Sequence, residues 1–494
     1  MQQPHRLLRR RTTSFLAPLL IAVLLLSSAC RDVPVAPQPV AVTPDAALAV
    51  TATAGDLELV RTLLVQLSAE GALTMGQVNA LLDALESAVR RRKADGNPPA
   101  GPYFDMFIAD VQLLVSTGVL TSLQAQPVLD AVQHLAGRGV ARRAIAGGYR
   151  FTCALTTTGM AQCWGSNLLG QLGDGSTHTR LSPVVVQGGM TFRQLTAGSD
   201  HACALTGDGA AYCWGGNSWG QLGDASKTAR LVPTAVATSR RFASISAGAY
   251  HTCALSRAGH SFCWGRNDVG MIGDGRWESP TVPTPVDLER VVSELWAGGF
   301  HSCGLVAGAG GYCWGWNSYG QLGNGTLTDK RVPTPLIDGT RFAHIAPYAY
   351  HGCALDAAGA AHCWGANGGG NLGDGTTTMR LVPTPVLGGW TFATLSNGGV
   401  VGGFTCGVTT AGTTLCWGFN NYGQVGDGTT TNRSVPTPVA ASMPFTDLTG
   451  GGEHNCGRTA TGAIYCWGGN FTGQLGDGTT TTRLRPTLIT LTGG

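Results

Sequence analysis

Charged side chains are scarce in this sequence: Asp, Glu, Lys and Arg make up only 12% of its 494 residues. The formal net charge is +3, but residues 1–29 hold four of the 32 basic residues and no acidic one, which leaves 28 basic against 29 acidic residues in the rest of the chain. This balance gives no basic surface that would attract phosphates. We therefore expect no nucleic acid among the partners.

Long apolar runs and catalytic motifs are also lacking. The apolar run at residues 15–26 is too short for a comfortable membrane span. No Walker loop, serine nucleophile elbow, EF-hand loop or zinc-protease motif occurs. The sequence thus indicates no enzyme, and we expect neither a cofactor nor a metal site.

The first 55 residues predict export and anchoring. Four arginines precede the apolar run, as in a secretory signal peptide. The run ends in LSSAC at Cys30, which resembles a bacterial lipoprotein cleavage site, although Ser27 replaces the usual Leu. The alternative is an ordinary signal peptide with an incidental cysteine. The other 14 cysteines all belong to a repeat, which favours acylation of Cys30.

We therefore predict a signal peptide at 1–29 and a lipid-anchored, Pro-rich tether at 30–55. The protein would lie in the cell envelope, at the outer membrane or facing the periplasm, with the membrane contacted through the lipid anchor only.

Residues 56–136 have the apolar spacing of helices and contain a duplication at an offset of 47 residues. Thr74 with Gln77, and Thr121 with Gln124, fit the capping-box pattern. We predict a four-helix module with helices near 56–69, 74–93, 103–116 and 121–136. The segment resembles the FIMAH-like helical modules of secreted bacterial proteins, which implies a spacer or packing role.

A phrase of about 50 residues follows seven times, which is typical of stacked structural units. The tryptophan of its Cys-Trp-Gly motif recurs at Trp164, Trp214, Trp264, Trp314, Trp364, Trp417 and Trp467. Each copy contains four short strands separated by glycine-rich turns, which predicts an all-β seven-bladed propeller over residues 140–494. We further expect the last strand, near 485–491, to close the ring by pairing in the same blade as residues 142–163.

The same phrase carries two cysteines separated by nine residues. Facing positions on a hairpin with a three-residue loop, such as Thr157-Thr158-Gly159, would bring the two Cα atoms within disulfide range. The alternative, seven two-cysteine metal sites, lacks the further ligands that zinc needs. The predicted disulfides are Cys153–Cys163, Cys203–Cys213, Cys253–Cys263, Cys303–Cys313, Cys353–Cys363, Cys406–Cys416 and Cys456–Cys466.

The full phrase, A-G-x-x-H-T-C-A-L followed by Y-C-W-G-x-N-x-x-G-Q-L-G-D-G, resembles the repeat of the regulator of chromosome condensation family. The resemblance implies a seven-bladed propeller. Nucleotide exchange on a nuclear small GTPase, the best-known activity of that family, does not transfer to an exported chain. Exported bacterial members with paired cysteines are more similar, as is the secreted family propeller that inhibits β-lactamases by protein contact, and for these the fold implies binding.

Two repeated polar positions are open to a structural or a chemical interpretation. The slot two residues before the first cysteine holds His201, His251, His301, His351 and His454, with Phe151 and Phe404 in the other copies. Because an apolar ring is accepted there, a packed structural role is favoured over a metal or catalytic one. The GDG loops resemble phosphate cradles, but an acid followed by a base six residues later recurs in five copies, which favours a turn closed by its own ion pair.

Function is expected where the copies differ. Aromatic residues cluster beside the variable turns, which suits a recognition surface for a protein partner; a carbohydrate-binding module is the alternative, and an enzyme with a pocket at the propeller axis is less favoured. The candidate contact residues are Trp219, Trp316, Tyr319, Val400, Val401, Phe419, Tyr422 and Phe471. The sixth copy is three residues longer in its turn at 399–403, with Trp390 expected nearby, and we expect that turn to contribute to binding.

Overall fold

The computed structural model describes residues 54–94 except 70, isolated positions between 107 and 132, and residues 144–491 except 257, 289, 307–309, 338, 400–402 and 442. The predicted signal peptide, Cys30 and nearly all of the tether lie outside these residues. No helix within the described ranges is long and apolar enough to cross a membrane.

Two helices precede the β-structure, α1 at Ala54–Ala69 and α2 at Met75–Ala94. The predicted capping box begins α2: Thr74 N donates to Gln77 Oε1 (2.8 Å), and Gln77 N donates to Thr74 Oγ1 (3.3 Å). Apolar side chains of both helices pack in one core with Phe107, Val111 and Val128. Most of the third and fourth predicted helices, with Thr121 and Gln124, lies outside the described residues.

Residues 145–489 form seven antiparallel four-stranded sheets, so the predicted seven-bladed propeller is confirmed. In blades 1 to 7 the first strands are Ile145–Gly147, Gln194–Ala197, Phe242–Ala247, Val292–Ala297, Phe342–Pro347, Phe392–Gly398 and Asp447–Gly450. The second strands are Phe151–Leu155, His201–Leu205, His251–Ser256, His301–Val306, His351–Asp356, Phe404–Thr409 and His454–Arg458.

The third strands are Ala161–Gly165, Ala211–Gly215, Ser261–Gly265, Gly310–Gly315, Ala361–Gly365, Thr414–Gly418 and Ile464–Gly468. The fourth strands are Arg180–Val185, Arg230–Ala235, Thr284–Pro285, Lys330–Pro335, Arg380–Pro385, Arg433–Pro438 and Arg483–Ile489. Each first strand contacts the first strands of both neighbouring blades, blade 7 with blade 1 included, so the first strands surround the axis and the fourth strands form the outer rim.

The cysteines lie opposite each other on the second and third strands of every blade, and each pair is closed as a disulfide within its own hairpin. Cys153 pairs with Cys163 in the ladder, with 4.0 Å between their Cα atoms. The hairpin turns through Gly159, whose φ of 84° is in the left-handed region that a three-residue loop requires. Seven disulfides indicate an oxidising environment.

The predicted strand exchange at the ring closure is wrong. The last strand pairs with its own repeat, Tyr465 opposite Leu488 and Cys466 opposite Thr487, and blade 1 has its own fourth strand at Arg180–Val185. Each blade is therefore one continuous segment.

The contacts between blades 7 and 1 are those found between other neighbours. The Trp164 indole Nε1 donates to the Gln474 carbonyl (3.0 Å), just as Trp214 donates to the Gln171 carbonyl (3.0 Å). A backbone hydrogen bond from Gly452 N to the Gly148 carbonyl (3.1 Å) also joins these two blades. The ring thus closes through side-chain and turn contacts rather than through a shared sheet.

The exposed edge of each blade is protected by proline. Proline donates no backbone hydrogen bond, so an edge that carries it is a poor template for pairing with another chain. These residues stand within or directly before the fourth strands, at Pro183, Pro233, Pro283, Pro333, Pro383, Pro436 and Pro486.

Candidate binding surface on the turn face

The loops of the propeller leave the blades at two opposite ends. Turns between first and second strands share one end with the long loops between third and fourth strands, because antiparallel strands alternate in direction. We call this end the turn face. The other end, the hairpin face, carries the loops between second and third strands and the links between blades.

The repeated histidines lie beneath the turn face as structural contacts between blades. Each is fully buried, and in four blades its Nε2 faces a hydroxyl of the next blade, as in His251 with Ser302 Oγ (2.9 Å) and His454 with Thr152 Oγ1 (2.7 Å). Burial lowers the pKa of the His201, His251, His301 and His454 rings to about 3 and that of His351 to about 4. A ring with so low a pKa is a weak base, and its complete burial keeps a substrate or metal ion from reaching it.

The GDG loops are also structural. In blade 1, Asp174 Oδ1 accepts hydrogen bonds from Asn167 Nδ2 (3.0 Å) and Ser176 Oγ (2.8 Å), and Arg180 Nε donates to Asp174 Oδ2 (2.9 Å). The same ion pair closes the loop in blades 2, 5, 6 and 7. We call this arrangement the clasp. Because the aspartate occupies the loop interior, a phosphate would meet a carboxylate there.

What varies on the turn face is the residue just before the histidine slot. This position changes from blade to blade through charged, aromatic and small side chains. In blades 1 to 7 it is Arg150, Asp200, Tyr250, Phe300, Tyr350, Gly403 and Glu453.

Three of these aromatic residues join predicted contact residues in one continuous cluster from blades 2 to 5. We call it the axial patch, and it consists of Trp219, Tyr250, Arg266, Phe300, Trp316, Tyr319 and Tyr350. Trp316 is its centre: its ring lies 5.6 Å from Phe300, 5.5 Å from Tyr319 and 5.6 Å from Tyr350, edge-on in each case. Trp219 and Tyr319 are 36% and 44% exposed, and the other members are half-buried.

Arg266 joins the two sides of the axial patch. Its guanidinium lies over the rings of Trp219 (5.0 Å), Tyr250 (5.7 Å) and Phe300 (5.6 Å) and donates to both carboxylate oxygens of Asp268. Sequence reasoning missed this arginine. It follows the Cys-Trp-Gly of the third repeat at the position of Trp316 and Phe419, so an alignment of the repeats could have found it.

A second, smaller group spans blades 6, 7 and 1. Tyr422 and Phe471 are in edge-to-face contact at 5.0 Å, and the Arg150 guanidinium lies over Phe471 (5.9 Å) and Tyr149 (5.2 Å). Arg150 Nε also lies 3.6 Å from Glu453 Oε2. The predicted contact residues therefore occur in two clusters on one face.

The remaining candidates fall elsewhere. Phe419 is half-buried on the turn face, whereas Val400 and Val401 lie outside the described residues. The expectation that Trp390 lies near the 399–403 turn is wrong. Trp390 precedes the first strand of blade 6, Phe392–Gly398, and that strand runs from the hairpin face to the turn face, so Trp390 and the turn lie at opposite ends of the blade.

Tyr348 narrows the axis at the turn face. It stands where other blades have a glycine, such as Gly198, Gly248 and Gly298, and lines a pocket with Tyr149 and Phe300. About 30 Å³ of this pocket is accessible to the centres of water molecules, room for roughly two waters. The Tyr348 side chain therefore takes up space at the axis where blades 2 to 4 have only a glycine.

Asp200 adds a half-buried acidic group at the edge of the patch. Burial raises the pKa of its carboxyl to about 6, against a lowering effect of the hydrogen bond from the Gln221 side chain. Its Oδ1 has no hydrogen-bond partner within the described part of the chain. Among the described residues, no group of three or more His, Cys, Asp or Glu side chains could hold a metal ion.

A closed ring of seven four-stranded blades, with one variable loop face, defines this chain as a seven-bladed β-propeller with a surface suited to binding. The RCC1-like domain model matches residues 112–402, which is more than half of the chain, and the regulator of chromosome condensation (RCC1) repeat matches 411–457 and 461–494. The chain therefore belongs to the family of RCC1-like proteins.

Solved structures agree with this fold. Human WBSCR16 is 20% identical, with a TM-score of 0.60 over 66% of this chain and 93% of its own. Yeast RCC1 (Prp20), in a crystal structure with Kap60 bound, is 19% identical, with a TM-score of 0.61 over 68% of this chain and 85% of its own. At these identities the likeness establishes the fold alone. A comparison with curated proteins found no match.

Proposed function

We propose that this chain is a binding protein whose turn face docks onto another protein. The axial patch carries the proposal, because six aromatic rings and one guanidinium from four blades form one continuous surface there. Large aromatic residues and arginine supply most of the binding energy at protein interfaces. Rings held in contact with one another on rigid blades lose little conformational freedom on binding.

The narrow axis supports binding rather than catalysis. Tyr348 occupies the position of a small residue, and the histidines beneath the turn face are buried between blades. A reaction would need an open pocket with accessible titratable groups. The family likeness supports the same class of function, since Prp20p from Saccharomyces cerevisiae has binding properties to Gsp1p and histones.

We also propose that the protein works outside the cytoplasm, held at a membrane surface through Cys30. The seven disulfides support export, so a nuclear small GTPase is not the expected partner. Mass spectrometry of the mature amino terminus is the test. A lipid on Cys30, with release of the protein from membranes in C30A, is expected; an unmodified Cys30 would refute the anchor.

The binding face can be tested by cross-linking in cells. A photoreactive phenylalanine analogue at Tyr319, in the axial patch, should yield a discrete protein adduct. The matched position is Trp390, which is similarly exposed at 42% but lies on the hairpin face. Adducts from position 390 without any from position 319 would place the site on the other face.

Substitutions on the turn face should weaken binding, whereas a substitution on the hairpin face should not. Once cross-linking has identified the partner, its co-purification with the double variant W219A/Y319A should fall by at least tenfold. Co-purification with W390A should be unchanged. Exposed tryptophan and tyrosine rings also stack on sugars, so the same three proteins belong on a glycan array. Glycan retention that depends on Trp219 and Tyr319, without any protein adduct, would replace the protein partner by a carbohydrate.

A further inference from the structure

Blade 3 has the aspartate of the clasp but lacks the arginine and the hydroxyl residue that bind this aspartate in other blades. In the five complete blades, the acid side chain is only 3–7% exposed and forms an ion pair with the arginine six residues later. Blade 3 has Asp274 at the same position, but Pro280 replaces the arginine and Arg276 replaces the hydroxyl residue that donates to the carboxylate elsewhere.

The loop around Asp274 otherwise keeps the geometry of the complete clasp. Asn267 Nδ2 donates to Asp274 Oδ1 (3.3 Å), and the Arg276 backbone N donates to the same oxygen (3.1 Å). Gly265 N donates to the Pro280 carbonyl (2.8 Å), so the Pro280 backbone lies where Arg180 lies in blade 1, opposite Gly165. Only the guanidinium and the hydroxyl are missing.

Asp274 is consequently short of hydrogen-bond donors. Asp174 accepts bonds from an amide side chain, a backbone N, a hydroxyl and a guanidinium, whereas Asp274 accepts only the first two from the described part of the chain. No basic side chain of the described residues forms an ion pair with it. Asp274 is half-buried, as are Asp224 and Asp374 in their complete clasps, and its loop has the shape that presents the acid to a guanidinium in those blades.

The surroundings suit an incoming planar cation. Trp277, three residues on, is 49% exposed, and the Arg331 guanidinium of blade 4 already stacks on its ring at 5.0 Å. The fourth strand of blade 3 is reduced to Thr284–Pro285, so less of the rim is covered by sheet there. A carboxylate that can accept paired hydrogen bonds favours arginine over lysine, and the Trp277 ring of the same loop already stacks with one guanidinium.

We propose that Asp274 accepts an arginine side chain of the protein partner. This arginine would complete the clasp in blade 3, as the chain's own arginine does in five other blades. The inference rests on the proposed function, that this face receives a protein, and it adds the chemistry of one contact. Asp274 belongs to the same connection between third and fourth strands as Arg266 of the axial patch, on the face where we propose that the partner docks.

Two variants test the proposal by different routes. D274N removes the charge, but the amide oxygen of the new asparagine can still accept the bonds from Asn267 and Arg276. Blade 4 natively carries an asparagine, Asn324, at this position of the loop. P280R supplies the guanidinium from within the chain and should occupy Asp274. D208N is the matched control, an exposed acid on the hairpin face with its own arginine, Arg241.

The probe is an array of heptapeptides with random flanks and a central arginine, lysine or citrulline. Arginine-centred peptides should bind the wild-type protein and D208N at least tenfold more strongly than citrulline-centred ones. This preference should disappear in both D274N and P280R. P280R should also raise the unfolding midpoint, whereas D274N should leave it nearly unchanged, so a common loss of binding would not come from misfolding.

An arginine preference that survives in D274N, or is absent from the wild-type protein, would overturn the proposal. An arginine preference that survives in D274N but is lost in W219A/Y319A would assign the cation to the axial patch, and the proposed function would then stand without this contact. If position 319 yields no protein adduct while the Asp274-dependent preference for arginine peptides remains, the turn face is refuted as the docking site but the arginine contact is not.

Discussion

The histidine slot is filled according to what faces it from the next blade. His201, His251, His351 and His454 each meet a threonine or serine hydroxyl. Phe151 and Phe404 stand where the facing residues are Ala202 and Asn455, which offer no hydroxyl. His301 is the exception, because Gly352 faces it and neither ring nitrogen has a hydrogen-bond partner among the residues that the structure describes.

We expect H301F to be at least as stable as the wild-type protein. The substitution removes two buried polar atoms without partners, a gain of about 1 kcal/mol, and phenylalanine already fits this slot in two blades. H251F should instead lower the free energy of unfolding by about 1 kcal/mol, because Ser302 loses its imidazole partner. Guanidinium unfolding followed by tryptophan fluorescence measures both; equal losses in the two variants would contradict this account.

At the scale of the loop, the clasp explains how a long connection becomes part of a rigid blade. The pKa of the Asp374 carboxyl lies below its usual value: burial acts to raise it, but hydrogen bonds from Thr376 and Arg380 more than offset that effect. Blade 4 departs from this pattern with Asn324 and Lys330, and the buried Asn324 Nδ2 finds no hydrogen-bond partner in the described ranges.

The variant N324D should therefore stabilise the protein. A carboxylate at this position removes the amide nitrogen that lacks a partner and gives Lys330 a counter-ion, a gain of about 1 kcal/mol. The matched variant D374N leaves Arg380 without its acid and should lower stability by a similar amount. Thermal unfolding of the two variants under the same buffer is the measurement, and a lower midpoint for N324D would count against the explanation.

The same loop explains why the repeat pattern misplaces the blade boundaries. A period of 50 residues defines the four strands and the hairpin register, and both are confirmed. A period does not show, however, at which strand a blade begins. The predicted strand exchange groups each fourth strand with the three strands after it, so that the short link between them lies within a blade. The longer connection, residues 166–179 in blade 1, is the one inside the blade, because Asp174 and Arg180 fold it back on the sheet.

The candidate surface is predictable from the sequence only in part. Aromatic residues at variable turns are visible in the sequence, but their contacts depend on which blades are neighbours at the axis. Arg266 escapes notice because a single arginine carries no motif, and Trp390 is misplaced because a strand separates positions that are close in sequence. Spatial grouping requires the blade geometry.

For the whole molecule, ring closure depends on the contact that every pair of blades makes. Trp164 and Trp264 each donate an indole hydrogen bond of 3.0 Å to a carbonyl of the preceding blade, the first across the closure and the second within the ring. W164F and W264F should therefore lower the free energy of unfolding by similar amounts, about 2 kcal/mol. Urea unfolding tests this, and a much larger effect of W164F would mean that the closure is weaker than the other blade contacts.

Stability should also fall on mild acidification. Because the five slot histidines have pKa values of about 3 to 4 when folded, only the unfolded chain binds protons as the pH falls below 6.5. For each of these histidines, the free energy of unfolding should then fall by about 1 kcal/mol per pH unit. The raised pKa of Asp200 acts in the opposite direction, but it is one group against five.

Unfolding curves at pH 7.5 and 5.5 measure this loss, and H301F should reduce it by about a fifth. A free energy of unfolding that stays level between these two pH values would contradict the neutral, buried state of the rings.

The position of the disulfides also bears on how the chain acquires its structure. Both cysteines of every pair lie on one hairpin, ten positions apart, and no disulfide of the described residues joins two blades. A hairpin can therefore oxidise as soon as its two strands are together in an oxidising environment, before the ring exists. Blades would mature in order from the amino-terminal side, and the correct partner for each thiol would always be the nearest one available. Such a chain should regain its native disulfides after complete reduction without help from a disulfide isomerase.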